Sequence, residues 1–197
     1  MRLLHVTDAL PHPAHACDPW YLERGKAVHL ACHYADTCGL DWDSVDSRIV
    51  GYCRAWERCK AETGMVVSAS EVGIGGERAG YVGTLDKIVI LPDGNAKMGW
   101  PVKAGRSLEI WDLKCGGPEP WHGLQLAAYE IEVRKARKRT VPMARRTCHL
   151  SEDGTYRLIE HTGKDDFKTF LGYLTVAYWE INQGLREWPA LREGEAA

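Results

Sequence analysis

The sequence predicts a single α/β or α+β domain in which helices pack against a small mixed sheet. Apolar residues recur at helical spacing in four segments of the chain. The segments between them are rich in β-branched residues and are bounded by glycines or turn residues, as is typical of strands. The resulting element order is ααβββαββα, which is the pattern of a sheet covered by helices.

The individual elements follow from these patterns along the chain. Residues 1–19 are rich in proline and histidine and are expected to form an irregular lead-in, followed by one domain over 20–186 and a tail over 187–197. Helices are predicted at about 20–36, 44–62, 119–138 and 164–183, and strands at 65–74, 80–91, 107–115, 144–150 and 155–160. Asp43 or Ser44 is a candidate cap for the second helix, and Gly64 is its expected end.

The composition narrows the class of protein. The length of 197 residues and the net charge of -2 are ordinary for one globular domain, and a nucleic-acid partner would need only a local basic surface. No run of about 18 apolar residues is present, and the first twenty residues lack the apolar core of a signal peptide. We therefore expect a cytoplasmic protein without a membrane partner, whose seven cysteines are mostly buried or spare thiols.

Two aspartates interrupt predicted strands that are otherwise apolar. Asp86 lies within strand 80–91, and Asp112 lies within strand 107–115. A carboxylate in such a place costs several kcal/mol unless it is paired or bound to a metal. Lys114 follows Asp112 by two positions, so both side chains project from the same face of the strand. Separately, these residues would suggest a turn and a surface ion pair; together they favour a site for Mg²⁺ or Mn²⁺.

The order of three short motifs gives this site a family resemblance. The motifs are GTLD, DLK and QLAAY, and the helix before them contains RGKAVH. The chain resembles the RecB-like branch of the PD-(D/E)XK nucleases, whose motifs GxxD, (D/E)xK and QxxxY would fall on Gly83, Asp86, Asp112, Lys114, Gln125 and Tyr129. The fold implied by this resemblance is the restriction-endonuclease-like core.

The resemblance also implies roles for individual residues. By analogy His29, Asp86 and Asp112 would bind the metal, and Lys114 would position or help to deprotonate a water. Gln125 and Tyr129, one helical turn apart, would steady the lysine or a DNA phosphate.

Three further features qualify this assignment. Glu71, in the first strand, is either an additional carboxylate near the metal or a solvated strand residue. Cys115 stands where the family commonly has threonine, and we interpret it as a packing residue. An iron–sulfur cluster of the kind that some members carry is not expected, because Cys148 is the only cysteine late in the chain.

A basic segment and two tryptophans are the candidates for contact with DNA. Seven cations and no acid occur between residues 134 and 146, namely Arg134, Lys135, Arg137, Lys138, Arg139, Arg145 and Arg146. They favour contact with phosphates. A solvated helix end, where cations complement the helix dipole, would account for the first few of them but less well for all seven. Trp100 and Trp121 are candidates for stacking on unpaired bases.

The expected function is that of a divalent-metal-dependent deoxyribonuclease, an exonuclease acting on DNA ends or single strands in recombination or repair. Small members of this kind resemble phage-encoded exonucleases, which would place the protein in the cytosol of a bacterial host beside an annealing protein or a helicase. The alternatives are a non-catalytic DNA-binding protein that retains the nuclease fold and a site-specific endonuclease. The oligomeric state stays open.

Overall fold

The computed structural model describes residues 2–11, 18–92, 107–140 and 143–190. Its helices are α1 Val6–Ala9, α2 Pro19–Thr37, α3 Val50–Thr63, α4 His122–Ala136 and α5 Asp166–Asn182, and its strands are β1 Leu4–His5, β2 Val66–Gly76, β3 Tyr81–Leu91, β4 Ser107–Lys114, β5 Ala144–Leu150 and β6 Tyr156–Glu160. In the part of the chain that the structure describes, six strands in one mixed sheet and five α-helices confirm the expected class. Within the described ranges, no helix has both the length and the apolar character needed to cross a bilayer.

The sheet combines antiparallel and parallel pairs. Strands β2, β3 and β4 run antiparallel to one another in sequence order, and β5 then pairs parallel with β4. The connection between β4 and β5 includes helix α4, as a parallel crossover requires. Strand β6 closes the far side by pairing antiparallel with β5.

The sheet opens into a fork between β3 and β4. Strand β2 pairs with one edge of β3 from Tyr81 to Ile90, so β1 and β4 must share the other edge. Along that edge β1 pairs with residues 81–82 and β4 with residues 87–91. Among the described strands, none pairs with the intervening stretch Gly83–Asp86 on that edge. The described strands therefore leave a gap beside β3 in the middle of the sheet.

The N-terminal lead-in differs from the irregular segment that the sequence predicts. Leu4 and Val6 are buried, and the backbone N–H of Leu4 donates to the hydroxyl of Tyr178 at 3.0 Å. Residues 4–9 form a two-residue strand and one helical turn, which are too short to produce a recognisable period in the sequence. The lead-in thus belongs to the fold, at least over residues 2–11.

The beginning of α3 is also different from the prediction. Residues 42–44 form a 3-10 turn, so neither Asp43 nor Ser44 caps the helix. A second turn follows, in which Asp46 accepts the backbone N–H of Arg48 at 2.9 Å. Aspartate side chains stabilise such turns in competition with helix, which delays the start of α3. The end of α3 is as predicted, because Gly64 adopts a left-handed conformation with φ of 67°.

Two hydrophobic cores lie on opposite faces of the sheet. One core, under α4 and α5, includes Leu85, Ile88 and Phe170, whereas the other, under α2 and α3, includes Trp56 and Trp111. Leu85 and Ile88 face the same core although they are three positions apart on β3. The strict alternation of side chains therefore breaks between them, at Asp86 and Lys87. The strand carries its two charged residues at this irregularity.

A cluster of charged groups lies in the core beneath α2 and α3. The ammonium of Lys87 is fully buried, 2.8 Å from one oxygen of Asp36 and 2.6 Å from the hydroxyl of Ser70. The other oxygen of Asp36 lies 2.8 Å from the ammonium of Lys60 and accepts the indole N–H of Trp56 at 3.0 Å. Lys60 also lies 2.7 Å from Glu57, so two ammonium groups face two carboxylates. The cluster therefore connects α2, α3, β2 and β3 without an uncompensated charge.

Replacing Asp36 by alanine is expected to reduce the free energy of unfolding by about 3–5 kcal/mol, because it leaves the buried ammonium of Lys87 without its counter-ion. Urea denaturation followed by circular dichroism would measure the change. Asp46→Ala is the control, since Asp46 forms an exposed ion pair with Arg48 and should matter much less. Equal losses in the two variants would contradict the structural role of the buried cluster.

Candidate metal centre

The fork between β3 and β4 contains a cavity of about 550 Å³. The residues that the three motifs, the preceding helix and β2 contribute to its lining are His29, Glu71, Gly83, Asp86, Asp112, Lys114, Gln125 and Tyr129. The structure thus brings together all seven residues for which the sequence predicts a catalytic or metal-binding role, and the glycine of the first motif with them.

His29 projects from α2 into the fork and is fixed through both ring nitrogens. Its Nε2 lies 3.1 Å from the backbone carbonyl of Leu113, and its Nδ1 lies 3.3 Å from a carboxylate oxygen of Asp86. A carbonyl can only accept, so Nε2 carries the proton. In a neutral ring Nδ1 is then the free acceptor, and a hydrogen bond of this kind from the second nitrogen is typical of metal-bound histidines.

Where β3 and β4 separate, the side chain of Asp86 replaces the main chain of β3 as a hydrogen-bond partner of β4. Its Oδ2 accepts the backbone N–H of Leu113 at 2.6 Å, just beyond the last β3–β4 pair, Lys87 with Trp111. Burial favours the protonated carboxyl, but the charge of His29 and that hydrogen bond outweigh it and lower the pKa of Asp86. Asp86 is therefore an anion held rigidly against β4.

Glu71 reaches the same place from a strained position on β2. Its backbone has a φ of 53°, which is uncommon for a residue other than glycine and costs about 1–3 kcal/mol. Single ligand atoms of Glu71, His29 and Asp86 lie within 4.8 Å of one another. One imidazole and two carboxylates in this arrangement suit a divalent cation such as Mn²⁺ or Mg²⁺.

Asp112 lies beside this trio and is linked to the lysine. One carboxylate oxygen, Oδ2, is 2.5 Å from Nζ of Lys114 in an ion pair. Among the described residues this buried oxygen receives no hydrogen bond of regular geometry. A buried anionic oxygen with incomplete pairing is costly, and a cation in the cavity would satisfy it. The donor set therefore fits a hard metal ion.

Gln125 and Tyr129 of α4 hold the lysine and Asp112 in place. The amide nitrogen of Gln125 donates to Asp112 at 3.3 Å and to the hydroxyl of Tyr129 at 3.0 Å, while its oxygen accepts from Lys114 at 3.1 Å. The orientation of the amide is the one that this hydrogen-bond network requires. Gly83 allows the close approach of α4, because a Cβ atom there would lie 2.9 Å from the ring of Tyr129.

The charges in the cavity shift one another's pKa values. Burial lowers the pKa of His29, but the charge of Asp86 opposes this effect and the net result is a rise to about 9. Burial and the charge of Asp86 raise the pKa of Glu71 to about 7. Burial raises the pKa of Asp112 to about 6, against the effect of Lys114. Burial alone would lower the pKa of Lys114, yet the two aspartates raise it, so the ammonium form persists.

Among the polar residues outside the three motifs that also line the cavity, sequence reasoning missed His5, Thr7 and Lys26. His5 and Thr7 belong to the lead-in, whose sequence carries no signal for this location. Lys26 lies one turn before His29 on α2, and its exposed ammonium has no ion-pair partner among the described residues. The motif RGKAVH contains this lysine, so the helical spacing could have indicated it.

The end of the predicted basic segment is not available for phosphate contact. The guanidinium of Arg146 is buried between Glu109, at 2.8 Å, and Glu160, at 2.9 Å. Arg145 lies 3.1 Å from Asp166. These two arginines are therefore corrections to the sequence prediction: they stabilise the β5 region instead of forming a free basic surface.

The rest of the basic segment lies away from the cavity. Arg134 is held by the carbonyl of Thr140 at 2.7 Å, and the side chain of Lys135 pairs with Glu132. The exposed residues Arg137, Lys138 and Arg139 follow the C-terminal end of α4. At 1.5 Å per residue, Arg137 lies roughly 18 Å along the helix from the glutamine that binds Lys114.

Of the two tryptophans that are candidates for stacking on unpaired bases, Trp121 lies within the described residues. Trp121 is half-buried against the α4/α5 core at the start of α4, with its ring 6.1 Å from that of His122. Most of its surface is thus used in packing, and stacking on a base stays a prediction for its exposed part. Trp100 lies outside the described residues.

Changing Glu71 to glycine is expected to stabilise the metal-free protein by about 1 kcal/mol, because glycine adopts a positive φ without strain. The same change should weaken Mn²⁺ binding, because a carboxylate is lost from the trio. Urea denaturation and calorimetric titration would measure the two effects. Lys138→Gly is the matched control, because Lys138 also has a positive φ, 51°, but lies outside the cavity. A Glu71→Gly variant that keeps full Mn²⁺ affinity would exclude Glu71 as a ligand.

Mn²⁺ binding is expected to tighten as the pH rises from about 6 to about 9. A histidine must lose its proton to bind a metal, and His29 with a pKa of about 9 is protonated below that value. Glu71, with a pKa of about 7, adds a second proton to be released at the acidic end. Calorimetry in buffers of different ionisation enthalpy would count the released protons. Affinity that is constant across this range, with no proton release, would contradict a site built on His29.

Comparison with known proteins assigns no family to this geometry. Neither a scan against protein-family models nor a search of curated proteins finds a match to the chain. The function is therefore inferred from the chemistry of the cavity.

Proposed function

We propose that this protein is a divalent-metal-dependent deoxyribonuclease that hydrolyses phosphodiester bonds. The observation that carries the proposal is the meeting of His29, Glu71, Asp86 and Asp112 with Lys114 in one cavity between two separating strands. Carboxylates with one imidazole suit a hard cation, and an ammonium beside them suits an anionic substrate.

The chain's own residues define what the site can do. A bound divalent cation would supply Lewis-acid chemistry, polarising a phosphoryl oxygen and lowering the pKa of a water. Lys114, kept protonated by its two aspartates, donates hydrogen bonds and stabilises negative charge that develops on the phosphate. Because its ammonium is protonated, Lys114 is suited to orienting a water and not to removing a proton from it.

The arrangement of α4 gives Lys114 a fixed direction. The ammonium contacts Asp112 on one side and Gln125 on the other, so two contacts restrict its motion. Tyr129 in turn restrains the amide of Gln125. Holding a catalytic group in its reactive position before the substrate arrives lowers the entropic part of the barrier.

The size of the cavity favours DNA ends or single strands as substrates. A volume of about 550 Å³ lies in the range of pockets that enclose a small molecule, and it accommodates a terminal nucleotide better than a continuous duplex. Lys26 at the wall, which has no ion-pair partner among the described residues, offers a cation to a phosphate. These features support an exonuclease, with recombination or repair as the process that such an activity would serve.

We further infer that the fold is the PD-(D/E)XK core of the RecB-like branch. Support comes from the order of the motifs, from their meeting at one fork of a mixed sheet, and from the position of His29 on the helix before them. A non-catalytic DNA-binding protein and a site-specific endonuclease are the alternatives that the following experiment separates.

Lys114→Ala is expected to reduce the rate of DNA hydrolysis by about 10²–10⁴-fold, because charge stabilisation and the positioning of water are lost together. The assay would use end-labelled linear single- and double-stranded DNA and closed circles, each with Mg²⁺, Mn²⁺ or EDTA. Lys168→Ala, an exposed lysine of α5 outside the cavity, is the matched control and should keep full activity.

The outcomes of this assay separate the alternatives. Degradation of linear but not circular DNA supports the exonuclease, whereas cutting of circles supports the endonuclease. Binding without any cleavage supports the non-catalytic protein. Cleavage that persists both in EDTA and in the Lys114→Ala variant would contradict the metal–lysine mechanism.

A further inference from the structure

A second cavity of about 550 Å³ lies between β2 and the C-terminal half of α4. It shares no lining residue with the candidate metal centre. Its apolar lining includes Val72 and Ile74 of β2, Ile88 of β3 and Val133 of α4. Ile88 and Val133 are buried, and the two β2 residues are partly exposed. The cavity is therefore an apolar groove open to solvent.

The rim of this groove is basic. Arg78 and Arg137 both line it, both are exposed, and neither side chain has a hydrogen-bond or ion-pair partner among the described residues. Lys135 is also at the rim, paired with Glu132 at 2.7 Å. Glu132 in turn accepts from the hydroxyl of Tyr81, so its charge is already shared. Two guanidinium groups are left to attract an anionic partner.

The groove lies beside an edge of the sheet. Among the described strands, β2 pairs with β3 alone, so peptide groups along its outer edge are available to an added strand. Gly73 and Gly75 of β2 contribute to the groove, which brings the main chain close to any occupant. Extended peptides bind such edges through main-chain hydrogen bonds and place alternate side chains in adjacent pockets.

We propose that this groove is a docking site for an acidic peptide segment of a partner protein, with one or two large apolar side chains. The aliphatic floor receives the apolar side chains, and Arg78 and Arg137 pair with the carboxylates. A nucleic acid fits less well, because the described residues of the lining include no aromatic ring on which a base could stack. The proposal gives a role to Arg137, whose segment the metal centre does not use.

The test measures binding of a short fluorescein-labelled peptide in which aspartates alternate with leucine and phenylalanine, by anisotropy with the full chain. We expect saturable binding that weakens about tenfold in the double variant Arg78→Glu, Arg137→Glu. Ala136→Trp, which fills the groove from the exposed end of α4, should abolish binding. Arg54→Glu, a charge reversal at an exposed position of α3, is the matched control and should bind normally.

Two further probes test whether the groove recognises apolar side chains and whether it binds peptide in preference to nucleic acid. A peptide with serine in place of leucine and phenylalanine should bind at least tenfold more weakly, because the apolar floor would be unused. Labelled oligo-dT should show no dependence on Arg78 or Arg137. The proposal is overturned if the acidic peptide does not bind, if the serine peptide binds equally well, or if only oligo-dT responds to the double variant. Nuclease activity is not part of this readout, so its absence would leave the result intact.

Discussion

The hydrogen bond from the backbone N–H of Leu113 to the carboxylate of Asp86 is the contact on which the rest of the site depends. At this point β4 bonds to a side chain of β3 instead of its main chain, and the two strands separate. The carbonyl of the same Leu113 orients His29, so one residue of β4 positions groups from two other elements.

Much of the site could be predicted from the sequence because its chemistry conflicts with its surroundings. Asp86 and Asp112 are conspicuous in apolar strands, and the two-residue spacing to Lys114 fixes the relative direction of the side chains. The helical spacing of Gln125 and Tyr129 likewise places both on one face of α4. Each of these spacings joins residues that are close together in the chain, so it can be read directly from the sequence. The same holds for the strands themselves, whose patterns of burial and turns are local.

What the sequence could not show depends on tertiary contacts. The left-handed backbone of Glu71 has no sequence signal, since glutamate seldom adopts it. The burial of Arg146 follows from its pairing with Glu109 across β4 and β5, which a run of cations does not reveal. The lead-in residue Leu4 is held by parallel pairing with β3, and so few residues show no period. In each case a distant partner overrides what the local pattern favours.

The fork between β3 and β4 has a consequence for how the protein could change over time. Among the described strands, none pairs with residues 83–86 on the edge of β3 that faces β4. The opening follows from this gap and from the contact of Asp86 with Leu113, and not from the side chains of Asp112 and Lys114. Substitution of Lys114 or Asp112 would therefore remove chemistry while leaving a chamber of nearly the same shape. Under the proposed function, a descendant of this chain could lose the reaction and still bind the same DNA, so shape alone would not distinguish an enzyme from a binding protein derived from it.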